Sequence, residues 1–86
     1  MVQIMRYVYI IENSSGKRYI GIASDLEERL KKHNQQGSRW TRYKGPWHLI
    51  HKESCQGKQD ALLRERKIKS YKGGEAFKQL IKKQYG

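Results

Sequence analysis

Several side chains sit where their types break the local pattern, and they are the ones with chemistry to offer. Glu65 follows Ala61 by four positions and Leu62 by three, and precedes Ile68 by three. On a 3.6-residue period it therefore projects from the apolar stripe of its own helix. A carboxylate in that position must be paired, protonated or bound to a metal, since an isolated buried charge is very costly. Two solutions stand side by side. Glu65 can curl outward to Lys69 as an i,i+4 ion pair worth about 0.2–0.5 kcal/mol, or it can hold a cation. Arg29 and His33 are also spaced i,i+4, beside Leu26 and Leu30. Neither gains from the other, so they read as a solvated face or as a pair sharing one anionic target. Tyr7, Tyr9 and Tyr19 fall in two neighbouring strand-like segments. They suit cross-strand packing, and a phenol becomes a general base only where a nearby cation or metal eases loss of its proton. His48, His51 and Cys55 resemble part of a zinc set. Positions three apart on a strand face opposite ways, and no second cysteine pair exists, so a structural zinc site is not expected.

The elements that must position these groups follow from periodicity. Residues 5–11 alternate in strand-favouring types, with Tyr7, Tyr9 and Ile11 on one face and Val8 and Ile10 on the other. Turn chemistry over 13–17 (Asn-Ser-Ser-Gly-Lys) leads to a second strand over 18–23, so a hairpin opens the fold. Ser24 and Glu27 form a capping box that starts a helix running to about residue 33 or 34. Residues 36–46 are polar, basic and irregular. Residues 47–53 alternate as a third strand, with Trp47, Leu49 and His51 opposite His48 and Ile50. Helical spacing returns over 58–71, with Ala61, Leu62, Ile68 and Tyr71 near one stripe, and Gly73-Gly74 breaks it. A last helix over 75–84 carries Phe77, Leu80 and Ile81. The expected fold is α+β, a small three-stranded antiparallel sheet flanked by helices in the order ββ-α-β-α-α.

Eighty-six residues make one domain with a modest, single-layered core. Nineteen Lys and Arg against eight Asp and Glu leave a net charge of +11, whose self-repulsion makes sense beside an anionic partner. The excess is uneven: residues 29–52 hold seven Lys and Arg and no acidic group, with Trp40, Tyr43 and Trp47 among them. Cations interleaved with aromatics suit phosphate neutralisation and base stacking, which picks out Lys32, Arg39, Trp40, Arg42, Tyr43 and Lys44 as candidate nucleic-acid contacts. The single cysteine, Cys55, excludes an internal disulfide framework and fits a reducing, cytoplasmic compartment. No apolar run reaches the length of a membrane span, and no signal-peptide core is visible. The expected partner is nucleic acid, DNA first, with no membrane; a monomer is assumed.

Taken in order, these residues resemble a known pattern. Tyr7-Val8-Tyr9, then Tyr19-Ile20-Gly21, then Arg29 and His33 on a capped helix, then Glu65 on a later helix are similar to the GIY-YIG nuclease domain. The small stand-alone bacterial members, related to the N-terminal domain of the excision-repair incision subunit, are the nearest in pattern. The resemblance runs from about residue 5 to the last helix. It implies Tyr19 as general base towards the attacking water, Tyr9 as a group orienting that water or the phosphate, and Arg29 as the scissile-phosphate contact. It further implies His33 as a partner in proton handling and Glu65 as the one protein ligand of a divalent metal, Mg²⁺ or Mn²⁺. Gly21 would permit close approach to the sheet. Two positions depart from the pattern: Tyr7 stands where a glycine is usual, and Ile22 where the repair-subunit branch often carries a lysine.

Phosphodiester hydrolysis needs an activated water, a cation for the charge developing on phosphate, and help for the leaving alkoxide. Tyr19, Arg29 and a metal on Glu65 would supply all three, and a single carboxylate suits Mg²⁺, which keeps several waters. The leading expectation is a metal-dependent endonuclease acting in DNA repair or processing. The alternatives are a nucleic-acid-binding module without turnover on the same scaffold, and a protein-interaction domain that turns its basic face to an acidic partner.

Overall fold

The computed structural model describes residues 5–35 and 45–85. Strands β1 (Arg6–Asn13) and β2 (Arg18–Ala23) form the hairpin, and helix α1 (Leu26–Gln35) follows. Strand β3 (Trp47–Cys55) and helices α2 (Lys58–Ser70) and α3 (Glu75–Tyr85) complete the order ββ-α-β-α-α. All pairings are antiparallel, with β1 in the centre of a β2-β1-β3 sheet. The fold is the expected α+β arrangement.

Local chemistry explains the joints. The Asn13 side-chain oxygen accepts from the amides of Ser15 (3.0 Å) and Lys17 (2.9 Å), and Gly16 takes a left-handed φ of 83°. An L side chain at Gly16 would be strained there. At the start of α1 the cap is one residue later than expected. Asp25, not Ser24, accepts the Glu28 amide at 3.1 Å, which makes Asp25 the N-cap. Asn34 near the end of α1 accepts the Trp47 amide (2.6 Å) and donates to the Trp47 carbonyl (3.2 Å). That clip ties the end of α1 to the first residue of β3.

The core is not single-layered. Val8, Ile10, Ala61, Ile68 and Phe77 are buried between one sheet face and α2 and α3. Tyr9, Ile11, Ala23 and Trp47 are buried on the other face, with Leu26 and Leu30 of α1 packed on them. A central strand buried on both faces accounts for the unbroken apolar run Val8-Tyr9-Ile10-Ile11. The alternation expected along β3 also fails at one place. The β1–β3 register shifts between Ile10 and Ile11, so His51 pairs with Ile10 while Leu49 pairs with Ile11. The extra residue, Ile50, is a bulge, and beyond it the strand turns over. Leu49 and His51 therefore face opposite layers.

Candidate active site

Tyr9 lies opposite Gly21 in the β1–β2 register, and its ring rests against that glycine. A Cβ on Gly21 would lie 2.6 Å from the Tyr9 hydroxyl, 2.7 Å from Cζ and 3.0 Å from Cε1 of Tyr19. The resemblance implied close approach of backbone or substrate at Gly21; what closes on it is the Tyr9 ring. From α1, His33 completes a cluster of three rings, 5.0 Å from Tyr19 and 5.9 Å from Tyr9 between centroids, and its Nε2 is 2.8 Å from the Tyr9 hydroxyl. Both His33 and Tyr9 are buried, Tyr9 to 1% exposure.

Beside this cluster, along the outer edge of β2, runs an open cleft of about 430 Å³. Tyr19, Gly21 and Ala23 line it from the α1 side of the sheet, and Arg29 joins them from α1. Glu65, Leu62 and Lys58 of α2 line it from the opposite side, and Arg6 closes one end. Among the described residues the edge strand has no neighbour on that flank, so groups from both sheet faces meet there. Tyr19, Arg29 and Glu65, separated by up to 46 positions in sequence, share one concave surface.

The electrostatics divide the two tyrosines. Burial first, then the field of Tyr19, push the Tyr9 hydroxyl up to about 12, and a contribution from Glu65 acts in the same direction. The charge and hydrogen bond of Arg29 pull it down without prevailing. Tyr9 therefore keeps its proton near neutrality. His33 is held below the usual imidazole range by burial and then by the Arg29 charge, so it stays neutral. The Tyr9 hydroxyl and His33 Nε2 share one hydrogen bond, and the Arg29 charge acts on the same hydroxyl. The Tyr9–His33 bond is buried and the imidazole packs on the Tyr19 ring, while Arg29 approaches this cluster from the exposed face of α1.

Glu65 retains 20% side-chain exposure and sits 3.4 Å from Lys69, so the outward ion pair does form, at the edge of the cleft. No group of three or more His, Cys, Asp or Glu gathers among the described residues. This donor set does not suit zinc. Glu65 is the one carboxylate among the described residues that line the cleft, so a cation bound there would take most of its ligands from water, as Mg²⁺ does.

The other expected residues fall differently. Lys32 is exposed on α1, whereas Arg39, Trp40, Arg42, Tyr43 and Lys44 lie outside the described residues. Leu62 is not part of the buried stripe of α2: it is 44% exposed and faces the cleft, while Ala61 and Ile68 are buried. Arg6 and Lys58 were not singled out by sequence reasoning, yet both line the cleft. The spacing Lys58, Leu62, Glu65 (i, i+4, i+7) was the available signal that these share one helical face. His51 is held elsewhere, on the α2 side of the sheet. Its Nε2 is 2.7 Å from Glu53, which also accepts from Arg64 at 2.6 and 3.0 Å. Burial raises the Glu53 carboxyl, but the hydrogen bonds from Arg64 and His51 outweigh it and leave the group below its ordinary value.

Among the described residues no helix is long and apolar enough to cross a membrane. Residues 5–78 match the family model described as the GIY-YIG catalytic domain. The UPF0213 proteins of Staphylococcus aureus strains Mu50 and N315 are 42% identical over 66 residues, covering 76% of this chain and 80% of theirs. The UPF0213 protein BH0048 of Bacillus halodurans, whose solution structure is known, superposes with a TM-score of 0.62 at 31% identity. That match covers 95% of this chain and 87% of BH0048. With the sheet order, the paired tyrosines and Glu65 already in place, the match over residues 5–78 makes this chain a member of the GIY-YIG family of nuclease-type catalytic domains.

Proposed function

We propose that the protein is a divalent-metal-dependent endonuclease that hydrolyses phosphodiester bonds, with DNA as its first substrate and repair or processing as its setting. The observation that carries the proposal is the convergence of Tyr19, Arg29 and Glu65 on one cleft at the edge of β2. Arg29, exposed on α1 and lining the cleft, binds the scissile phosphate. Tyr19, half-buried at the cleft wall, is the group positioned to take a proton from the attacking water. Tyr9 keeps its proton and acts on Arg29 and His33 from beneath. Glu65 would hold Mg²⁺ or Mn²⁺, which supplies charge stabilisation for the phosphate oxygens and the leaving alkoxide.

Cleavage of varied DNA and RNA substrates, with and without Mg²⁺, tests this reading. Glu65→Ala should lower the rate by at least about 100-fold. Its stability should stay within about 0.5 kcal/mol of wild type, since the pair it loses is a long one, 3.4 Å, to a solvent-exposed Lys69. Equal background rates for wild type and Glu65→Ala would leave a nucleic-acid-binding module in place of an enzyme.

A further inference from the structure

Two cations in the cleft have no role in the chemistry described above. Arg6 and Lys58 both line it, and neither has an ion pair among the described residues. Their meeting follows from the fold. Arg6 opens β1 and pairs with Cys55 at the end of β3, and α2 begins three residues later with Lys58. Lys58 precedes Glu65 by seven positions, two helical turns, or about 10 Å along the axis. That separation is too long for one phosphate to touch both and suits the next phosphate of the same strand. Between them on the same helical face lies Leu62, an apolar side chain that is 44% exposed.

Resting on the nucleic-acid reading, we infer that Arg6 and Lys58 form a second phosphate subsite. It takes the phosphodiester next to the scissile one, and Leu62 packs against the sugar or base that joins the two. The order along α2 is Lys58, Leu62, then Glu65, which matches the anion–apolar–anion order of one nucleotide step. The strand then crosses the α2 face of the cleft.

The test is binding of a short oligothymidylate in EDTA, followed from about 50 to 200 mM salt. Each lost contact to a single strand should flatten the dependence of log K on log[salt] by about 0.7. Arg6→Gln with Lys58→Gln should therefore flatten it by about 1.4, so the affinity gap to wild type shrinks about sevenfold over that range. Arg6→Lys with Lys58→Arg should restore the slope. Leu62→Ser should weaken binding without changing the slope, and Lys17→Gln, in the turn at the far end of the β1–β2 ribbon, should change neither. An unchanged slope in the Gln double variant overturns the subsite while leaving the nuclease reading intact. Absence of saturable, salt-sensitive binding by wild type overturns both. A flattened slope in a protein without Glu65-dependent cleavage upholds the subsite and removes only the catalytic reading.

Discussion

Gly21→Ala is the most direct probe of the buried cluster beneath the cleft. The added methyl would lie 2.6 Å from the Tyr9 hydroxyl and 2.7 Å from Cζ, against about 3.5–4.0 Å for comfortable contact. The Tyr9 ring must therefore move by roughly 1 Å. It has little room, being 1% exposed and tied to His33 at 2.8 Å. Overpacking of a core costs about 1–3 kcal/mol, and loss of the phenol–imidazole bond about 1 kcal/mol more. The chain-entropy gain from Gly to Ala returns about 0.4–1 kcal/mol. A net loss of about 2 kcal/mol lowers the melting temperature of a domain this size by roughly 8–16 °C. Because the Tyr9 ring packs on Tyr19, which lines the cleft, a shift of about 1 Å should also slow cleavage about 100-fold. Urea denaturation followed by circular dichroism measures the first effect and a cleavage assay the second. In a Tyr9→Leu background the alanine should cost at least about 1 kcal/mol less. A denaturation midpoint equal to or above wild type, or the same penalty in both backgrounds, would mean that the Tyr9 ring does not clash with the new methyl.

Other perturbations test other joints. Asn34→Ala removes both bonds to the Trp47 backbone and should cost about 1–3 kcal/mol in urea denaturation; a change below about 0.5 kcal/mol would mean that water replaces the clip. His33 binds its proton less readily folded than unfolded, so the unfolded chain carries more protons between its folded value and about 6.5. Stability should then be fullest above about pH 6.5 and decline as pH falls through that window. His33→Gln, which keeps an acceptor for Tyr9, should flatten the decline between about pH 7 and 5, and a profile unchanged by the substitution would remove His33 as its source.

Period and turn chemistry alone were enough to determine the element order and the hairpin. The alternation over residues 5–11, the Asn-Ser-Ser-Gly turn and the breaker at Gly73 are local signals whose physics does not depend on the rest of the chain. The identity of Glu65 as a misplaced carboxylate was legible in the same way, since helical spacing needs no tertiary information. Other features were decided only in three dimensions. The bulge at Ile50, which turns His51 away from Leu49, arises from pairing with β1, and a strand read by itself carries no register. Leu62 looked like core because it neighbours Ala61, but the sheet edge, not the helix, determines which side of a stripe is covered. Tyr9 and Tyr19 are the same residue type on the same sheet face, yet one is buried on Gly21 with its proton held and the other opens onto the cleft. That difference comes from position across the sheet, centre against edge. Arg6 and Lys58 stand 52 positions apart and became neighbours of one cleft because β1, β3 and α2 meet at one corner. Sequence determines which chemistry is available; long-range pairing determines which groups face each other, because a contact between distant residues exists only once the chain between them has folded.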